Sequence, residues 1–239
     1  MKSGTLKTKG FNFKQFSIAD SHSGMPVSTD GVLLGAWSDF SCANNLLDIG
    51  TGTGLLSLMS AQRFPALSIT AVDIDAHAIE AARDNFAQSP WRDRLEVQQG
   101  DVLTLNLGTR FDAIICNPPY FNSGEQAKMQ QRATARHTDS LNHWDLLARA
   151  KALLNQDGRA SFVLPDVEGA AFIQLAQTQG WHLSRLCRVR PSEQKPASRL
   201  LFELRLQATA VQEQSLTIRE ANGYSAEFVA LTQDFYLKM

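Results

Sequence analysis

Asn45-Leu-Leu-Asp-Ile-Gly-Thr-Gly-Thr-Gly54 decides the fold. A short apolar run ends in alternating glycines, and Thr53 to Arg63 then reads as a helix. An ordinary tight βα turn needs one glycine. Three glycines after an aspartate point to a loop that a ligand approaches closely, because glycine accepts φ > 0 and has no side chain. The spacing is GxGxG, not the dinucleotide GxGxxG, and no Lys-Ser/Thr follows, which excludes a P-loop.

Working outward, strands and helices alternate. Leu67–Asp73, Leu95–Gln98, Phe111–Cys116 and Arg159–Leu164 read as strands. Ala76–Ala87, Leu141–Leu154 (stopped by Asp157-Gly158) and Val167–Gln179 (ending at Gly180) read as helices. Trp181–Val189 and Leu200–Gln207 are strands joined by the Pro191–Pro196 loop, which is too short for a helical crossover, so they pair antiparallel. This predicts an α/β fold: a mostly parallel seven-stranded sheet, an antiparallel last strand and helices on both faces. Leu216–Arg219 is a weaker strand and Ala226–Leu237 a closing segment. Residues 1–40 form an N-terminal extension and residues 41–239 the main domain.

Composition narrows the class. With 239 residues, 23 Lys+Arg and 24 Asp+Glu, the net charge of −1 excludes a polybasic coat protein. A hydrophobic fraction of 44% against 20% charged excludes a disordered chain. No apolar run approaches the ~18 residues of a membrane span, and the lysine-bearing N-terminus lacks a signal-peptide core. Cys42, Cys116 and Cys187 have no zinc-like spacing, so no metal is expected, and they suit a reducing cytoplasm.

Further acids follow the strands. Asp73 ends the second strand, where a carboxylate accepts ribose hydroxyls. Asp75 suits a helix N-cap better. Asp101 follows the third strand, as a turn residue or a ligand contact. Asn117-Pro-Pro-Tyr120 follows the fourth, at the carboxyl edge where open α/β sheets bind ligands. Two prolines stiffen that loop and remove two N–H donors. The Asn117 side-chain oxygen and the Pro118 carbonyl then serve as acceptors for one NH₂ group. Tyr120 offers a flat face for a planar group, extended by Phe121. Such a site needs no strong base, and His137 and His143 receive no catalytic role.

The glycine loop resembles motif I of the Rossmann-like S-adenosylmethionine-dependent methyltransferases. Asn117–Tyr120 resembles motif IV of those that modify an sp² amino nitrogen. Two further segments carry a narrower resemblance, to the bacterial valine-tRNA adenine-37 N6-methyltransferases. They are the head, Phe11-Asn-Phe-Lys-Gln-Phe16 with Met25 to Trp37, and the tail, Glu227 to Leu237, with Lys195-Pro196 beside them. The likeness covers nearly the whole chain; one departure is Pro26, where the family pattern has lysine.

The resemblance implies that S-adenosylmethionine is held by Asp48, Gly50, Gly52, Gly54, Asp73, Asp101 and Asn117. It also implies that Thr29 and Asp30, with Lys14 and Gln15, help the extension close the cofactor site. For Thr29-Asp30 the alternative is a helix N-cap. Asn117, Pro118, Pro119 and Tyr120 are the expected catalytic loop. Phe121, Lys128, Arg132, Arg136 and Lys195 are the expected substrate contacts. The partner would be a valine tRNA at its anticodon loop, in the cytoplasm, without an obligate protein partner. Arg185, Arg188, Arg190, Lys195 and Arg199 cluster in sequence around the late loop, as a phosphate-contacting rim or as a solvated mixed surface. A release-factor glutamine N5-methyltransferase shares Asn-Pro-Pro-Tyr but usually has a helical N-terminal domain; a ribosomal RNA adenine methyltransferase is a closer alternative. A non-catalytic cofactor-binding subunit and an NAD-dependent oxidoreductase are opposed by the two loops.

Overall fold

The computed structural model describes residues 10–19, 27–119 and 141–238. The chain opens with a short antiparallel hairpin, β1 (Phe11–Asn12) and β2 (Ser17–Ile18), and a helix, α1 (Thr29–Trp37). Next come β3 (Asn45–Ile49), α2 (Leu55–Arg63), β4 (Ser68–Asp73), α3 (Ala76–Ala87), β5 (Leu95–Gln99) and β6 (Phe111–Cys116). After the segment outside the described residues come α4 (His143–Leu153), β7 (Leu154–Pro165), α5 (Asp166–Thr178), β8 (His182–Ser192) and β9 (Arg199–Arg205). The last elements are β10 (Gln212–Glu220), β11 (Gly223–Tyr224) and α6 (Ala226–Thr232).

The sheet has the order β11-β10-β8-β9-β7-β6-β3-β4-β5. Its strands are parallel except β9, antiparallel to both β7 and β8, and β11, antiparallel to β10. Among the described residues the sheet therefore has nine strands, where the sequence reading expects seven. β10 adds to the edge of β8, and its mostly exposed, polar residues carry little alternating pattern. A second correction concerns Asp157-Gly158. α4 already ends at Leu153, and Gly158 lies within β7, where a Cβ would stand 2.9 Å from the Asp112 carbonyl oxygen. That glycine serves close strand approach, not a helix stop.

Strand alternation divides the core between two faces. Leu47, Ile114, Phe162 and Phe202 pack under α4 and α5, with Leu147 and Phe172. Leu46, Ile115 and Leu201 pack under α1, α2 and α6, with Leu34, Leu56 and Phe228. α1 is buried from Gly31 to Trp37. Its Gly31 and Gly35, four apart and so on one face, press against Leu55 and Met59 of α2; a Cβ at Gly35 would stand 2.7 Å from Met59 Sδ. Head and tail also meet. Phe13 bridges to Tyr236, Lys14 N donates to the Phe235 carbonyl at 2.8 Å, and Phe11 and Phe13 contact the Tyr236 ring.

Candidate active site

β3 and β6 are hydrogen-bonded neighbours, with Ile49 paired to Cys116. Gly50 and Asn117 therefore leave the sheet side by side. They do so where the strand order reverses, since the chain runs outward from β3 to β5 and returns on the other side as β6. Such a switch point opens a crevice at the carboxyl ends of the strands.

The glycine loop is pinned through its N–H groups. Gly50 N and Thr51 N donate to the Val72 carbonyl (2.9 and 3.1 Å), Gly52 N to Asp73 Oδ2 (2.9 Å) and Gly54 N to the Thr51 carbonyl (2.9 Å). All three glycines have positive φ: 70°, 56° and 83°. A Cβ at Gly50 or Gly52 would meet nothing within 4 Å, whereas one at Gly54 would lie 2.5 Å from Phe86 Cε1. The first two thus border open space, and the third is a packing glycine.

Two carboxylates brace this loop. Asp48 is fully buried, and its Oδ2 accepts from Thr51 Oγ1 and Ser57 Oγ, both at 2.7 Å. Its Oδ1 has no partner among the described residues. Burial pushes the Asp48 carboxyl up to about 6, against the opposing pull of the two hydroxyls. Asp73 accepts from Gly52 N and, through Oδ1, from Asp75 N at 3.0 Å. Burial raises its carboxyl, and the backbone N–H bonds partly offset this. Asp75 caps α3, accepting from His77 N at 2.9 Å. Asp101 Oδ1 accepts from Leu103 N at 2.9 Å, a turn-forming bond.

Thr29 and Asp30 form the first turn of α1. The N-cap is neither of them but Ser28, whose Oγ accepts from Gly31 N at 3.1 Å. A Cβ on Gly31 would stand 3.0 Å from Leu55, the residue after Gly54, so this turn lies at the glycine-loop end of α2. Asp30 Oδ2 is engaged by Arg199 Nε at 2.8 Å.

On the second loop Asn117 is partly buried, Pro118 buried and Pro119 exposed. The Asn117 amide has no hydrogen-bond partner among the described residues. Pro26, Tyr120, Phe121, Lys128, Arg132, Arg136 and His137 lie outside the described residues. Lys195 is exposed between β8 and β9.

Three of the late arginines face carboxylates of the protein itself. Arg185, near the start of β8, turns inward. Its Nη1 is 3.7 Å from Oε2 of fully buried Glu203, and its guanidinium lies 4.2 Å from the Trp37 ring. Arg199 holds Asp30, and Arg188 faces Glu213 at 3.9 Å.

Three contributors escaped the sequence reading. Asn85 donates to the Thr53 carbonyl at 2.9 Å and accepts from Ala19 N at 3.0 Å, joining the glycine loop to the head segment. Its signal was a buried amide on the small apolar face of α3. Arg149 donates to the Val102 and Leu105 carbonyls at 2.8 and 2.6 Å, holding the turn after Asp101. The third is His143, whose ring reaches Pro119. Among the described residues no cluster of His, Cys, Asp and Glu could hold a metal, and no helix is long and apolar enough to cross a membrane.

S-adenosylmethionine presents an amino acid, a ribose diol and an adenine. Open space beside two glycines, an unpartnered buried carboxylate oxygen and an acid ending β4 fit that set. Fold and site together define a Rossmann-like, S-adenosylmethionine-dependent methyltransferase. The methyltransferase small domain family matches residues 32–178. A predicted O-methyltransferase from Agrobacterium tumefaciens superposes with a TM-score of 0.64 at 19% identity, covering 86% of this chain and 96% of that one. A glycopeptide N-methyltransferase complexed with S-adenosylmethionine does so at 0.51 and 14% identity, covering 69% and 87%. A tRNA1(Val) (adenine(37)-N6)-methyltransferase of Vibrio vulnificus is 70% identical over 239 residues, all of both chains. The chain belongs to the family of tRNA1(Val) (adenine(37)-N6)-methyltransferases.

Proposed function

We propose that the chain transfers a methyl group from S-adenosylmethionine to N6 of adenine 37 in the anticodon loop of a valine tRNA. The observation that carries this is the adjacency, on paired strands, of the glycine loop and Asn117-Pro118-Pro119, in a chain 70% identical to a relative named for that reaction.

Gly50 and Gly52 leave room for the amino-acid part of the cofactor, beside Asp48. Asp73 takes the ribose hydroxyls and Asp101 the adenine amino group. Thr29 and Asp30 let the extension, residues 1–40, close the site over the main domain. When bound, the cofactor supplies an electrophilic methyl group. The Asn117 oxygen and the Pro118 carbonyl accept the two hydrogens of the exocyclic amine. That turns the hydrogens out of the ring plane, releases the nitrogen lone pair from conjugation and raises electron density on nitrogen. The proton that the methylated nitrogen sheds passes to water, since neither acceptor is basic enough to keep it, and these residues act by orientation and polarisation. Pro119 keeps the loop stiff, and Tyr120 and Phe121 stack on the base. A loop adenine is cheaper to extrude than a paired one. Lys128, Arg132, Arg136 and Lys195 contact phosphates. The enzyme works in the cytoplasm, where its free cysteines stay reduced, and needs no protein partner.

The test is methyl transfer by the purified chain from labelled S-adenosylmethionine to unmodified tRNA, ribosomal RNA, DNA and protein, with mass spectrometry of the product. N6-methyladenosine in valine tRNA at position 37 is expected. Label in ribosomal RNA, or in protein as N5-methylglutamine, would overturn the assignment.

A further inference from the structure

We propose that His143 is a positioning residue for the Asn117-Pro118-Pro119 loop, with its Nε2–H holding the Pro119 carbonyl. This rests on the methyl-transfer reading above. The two loops at the site face different anchoring problems. The glycine loop is fixed by donating its N–H groups to β4 and Asp73. The Asn117–Pro118 and Pro118–Pro119 peptides have no N–H to donate, so Pro118 and Pro119 offer only carbonyls as main-chain anchors. The Pro119 carbonyl has a partner: His143 Nε2 lies 3.4 Å away. Among the described residues no other side chain hydrogen-bonds to Asn117, Pro118 or Pro119.

The imidazole is itself well fixed. His143 is the first residue of α4, whose N-cap Asn142 accepts from Asp145 N at 2.8 Å. Its ring meets the fully buried Phe172 edge-on, with centroids 4.9 Å apart. Phe172 in turn packs on Phe162 at 5.0 Å, and Phe162 pairs with Cys116, the residue before Asn117. The loop is thus referenced to the core twice: through β6 at its start, and through Phe172 and His143 at Pro119. The same helix holds the turn after Asp101 through Arg149, so α4 touches both the cofactor side and the acceptor side of the crevice. Because its ring locks φ of Pro119, holding the Pro119 carbonyl restrains the preceding Pro118–Pro119 peptide, whose carbonyl is one of the two acceptors for the target amine. Neutral imidazole with its proton on Nε2 makes this bond, and so does imidazolium.

Three variants separate the hydrogen bond from mere packing. His143→Phe keeps the ring against Phe172 and loses the donor. His143→Gln keeps an N–H donor at similar reach and loses the ring. His143→Ala loses both. kcat and KM for unmodified tRNA are measured beside S-adenosylhomocysteine affinity by calorimetry and Tm. His143→Phe should lower kcat by about 10- to 100-fold, the scale of a misplaced reacting group, with cofactor affinity and Tm close to the parent. His143→Gln should recover most of that loss, and His143→Ala should resemble His143→Phe. Unchanged kcat in His143→Phe would overturn the proposal, as would His143→Gln performing no better than His143→Phe. Parallel losses of kcat, cofactor affinity and Tm in all three would also overturn it, by making His143 purely structural. Absence of turnover by the parent on any acceptor would instead strike at the methyl-transfer reading itself.

Discussion

The two loops at the ends of β3 and β6 are neighbours built on opposite principles. Residues 50–54 have glycine at every second position and are held by backbone N–H groups: four of the five donate within the protein. What this loop offers a ligand is space, because a Cβ at Gly50 or Gly52 would point into nothing. Residues 117–119 have two prolines, no N–H at either, and acceptors in their place. One loop makes room, and the other presents lone pairs. Binding and turnover should therefore be separable by mutation.

The largest separation is expected from Asn117→Ala. It should lower kcat by about 10²- to 10³-fold, the range for loss of one preorganised polar group. Binding of S-adenosylhomocysteine, followed by calorimetry, should fall far less than kcat, because Asn117 is one of several residues expected at the cofactor; a loss of affinity as large as the loss of kcat would break the division of labour. Next comes a contrast inside the first loop. Gly54→Ala forces a Cβ against Phe86 at φ 83°, so strain and overpacking should destabilise by about 2–4 kcal/mol, read as a fall in Tm. Gly50→Ala has strain but no clash, so it should destabilise by only about 1–2 kcal/mol while weakening cofactor binding.

Asp48 supplies a pH test. Its folded-state carboxyl lies at about 6, above the ordinary 3.8, because burial penalises the charge. Stability from this group is fully present below the ordinary value and is lost as pH rises through 6. Asp48→Asn should therefore match the parent near pH 4 and become the more stable protein above pH 7, by at most about 3 kcal/mol. Denaturant midpoints across pH would reveal it, and equal midpoints at every pH would remove the explanation. The smallest effect belongs to Asp30 and Arg199. Their ion pair is partly exposed, so a double-mutant cycle of Asp30→Asn and Arg199→Gln should give a coupling of about 0.5–1 kcal/mol, seen in the free energy of unfolding.

Much of this arrangement could be read from the chain. Ala76–Ala87 and Phe111–Cys116 fold over the very residues their patterning implied, since a buried face leaves a clear period. β10 was half hidden because only Leu216 in it is buried. Arg185 looked like a surface cation because its partners, Glu203 and Trp37, come from other elements. His143 looked unremarkable because nothing in its local sequence says that Phe172 and Pro119 flank it. Local pattern reports which face is buried; it does not report which partner long-range topology delivers.

The seam between Phe13 and Tyr236 has a consequence for biosynthesis. β1 cannot complete its contacts until Phe235 and Tyr236, far along the chain, have left the ribosome. Phe11 and Phe13 must wait for the Tyr236 ring while the sheet assembles behind them. Such long-range closure is slow to form and leaves apolar surface open in the interval. A truncated product that lacks the tail would keep that surface exposed and so be marked for chaperones and proteases.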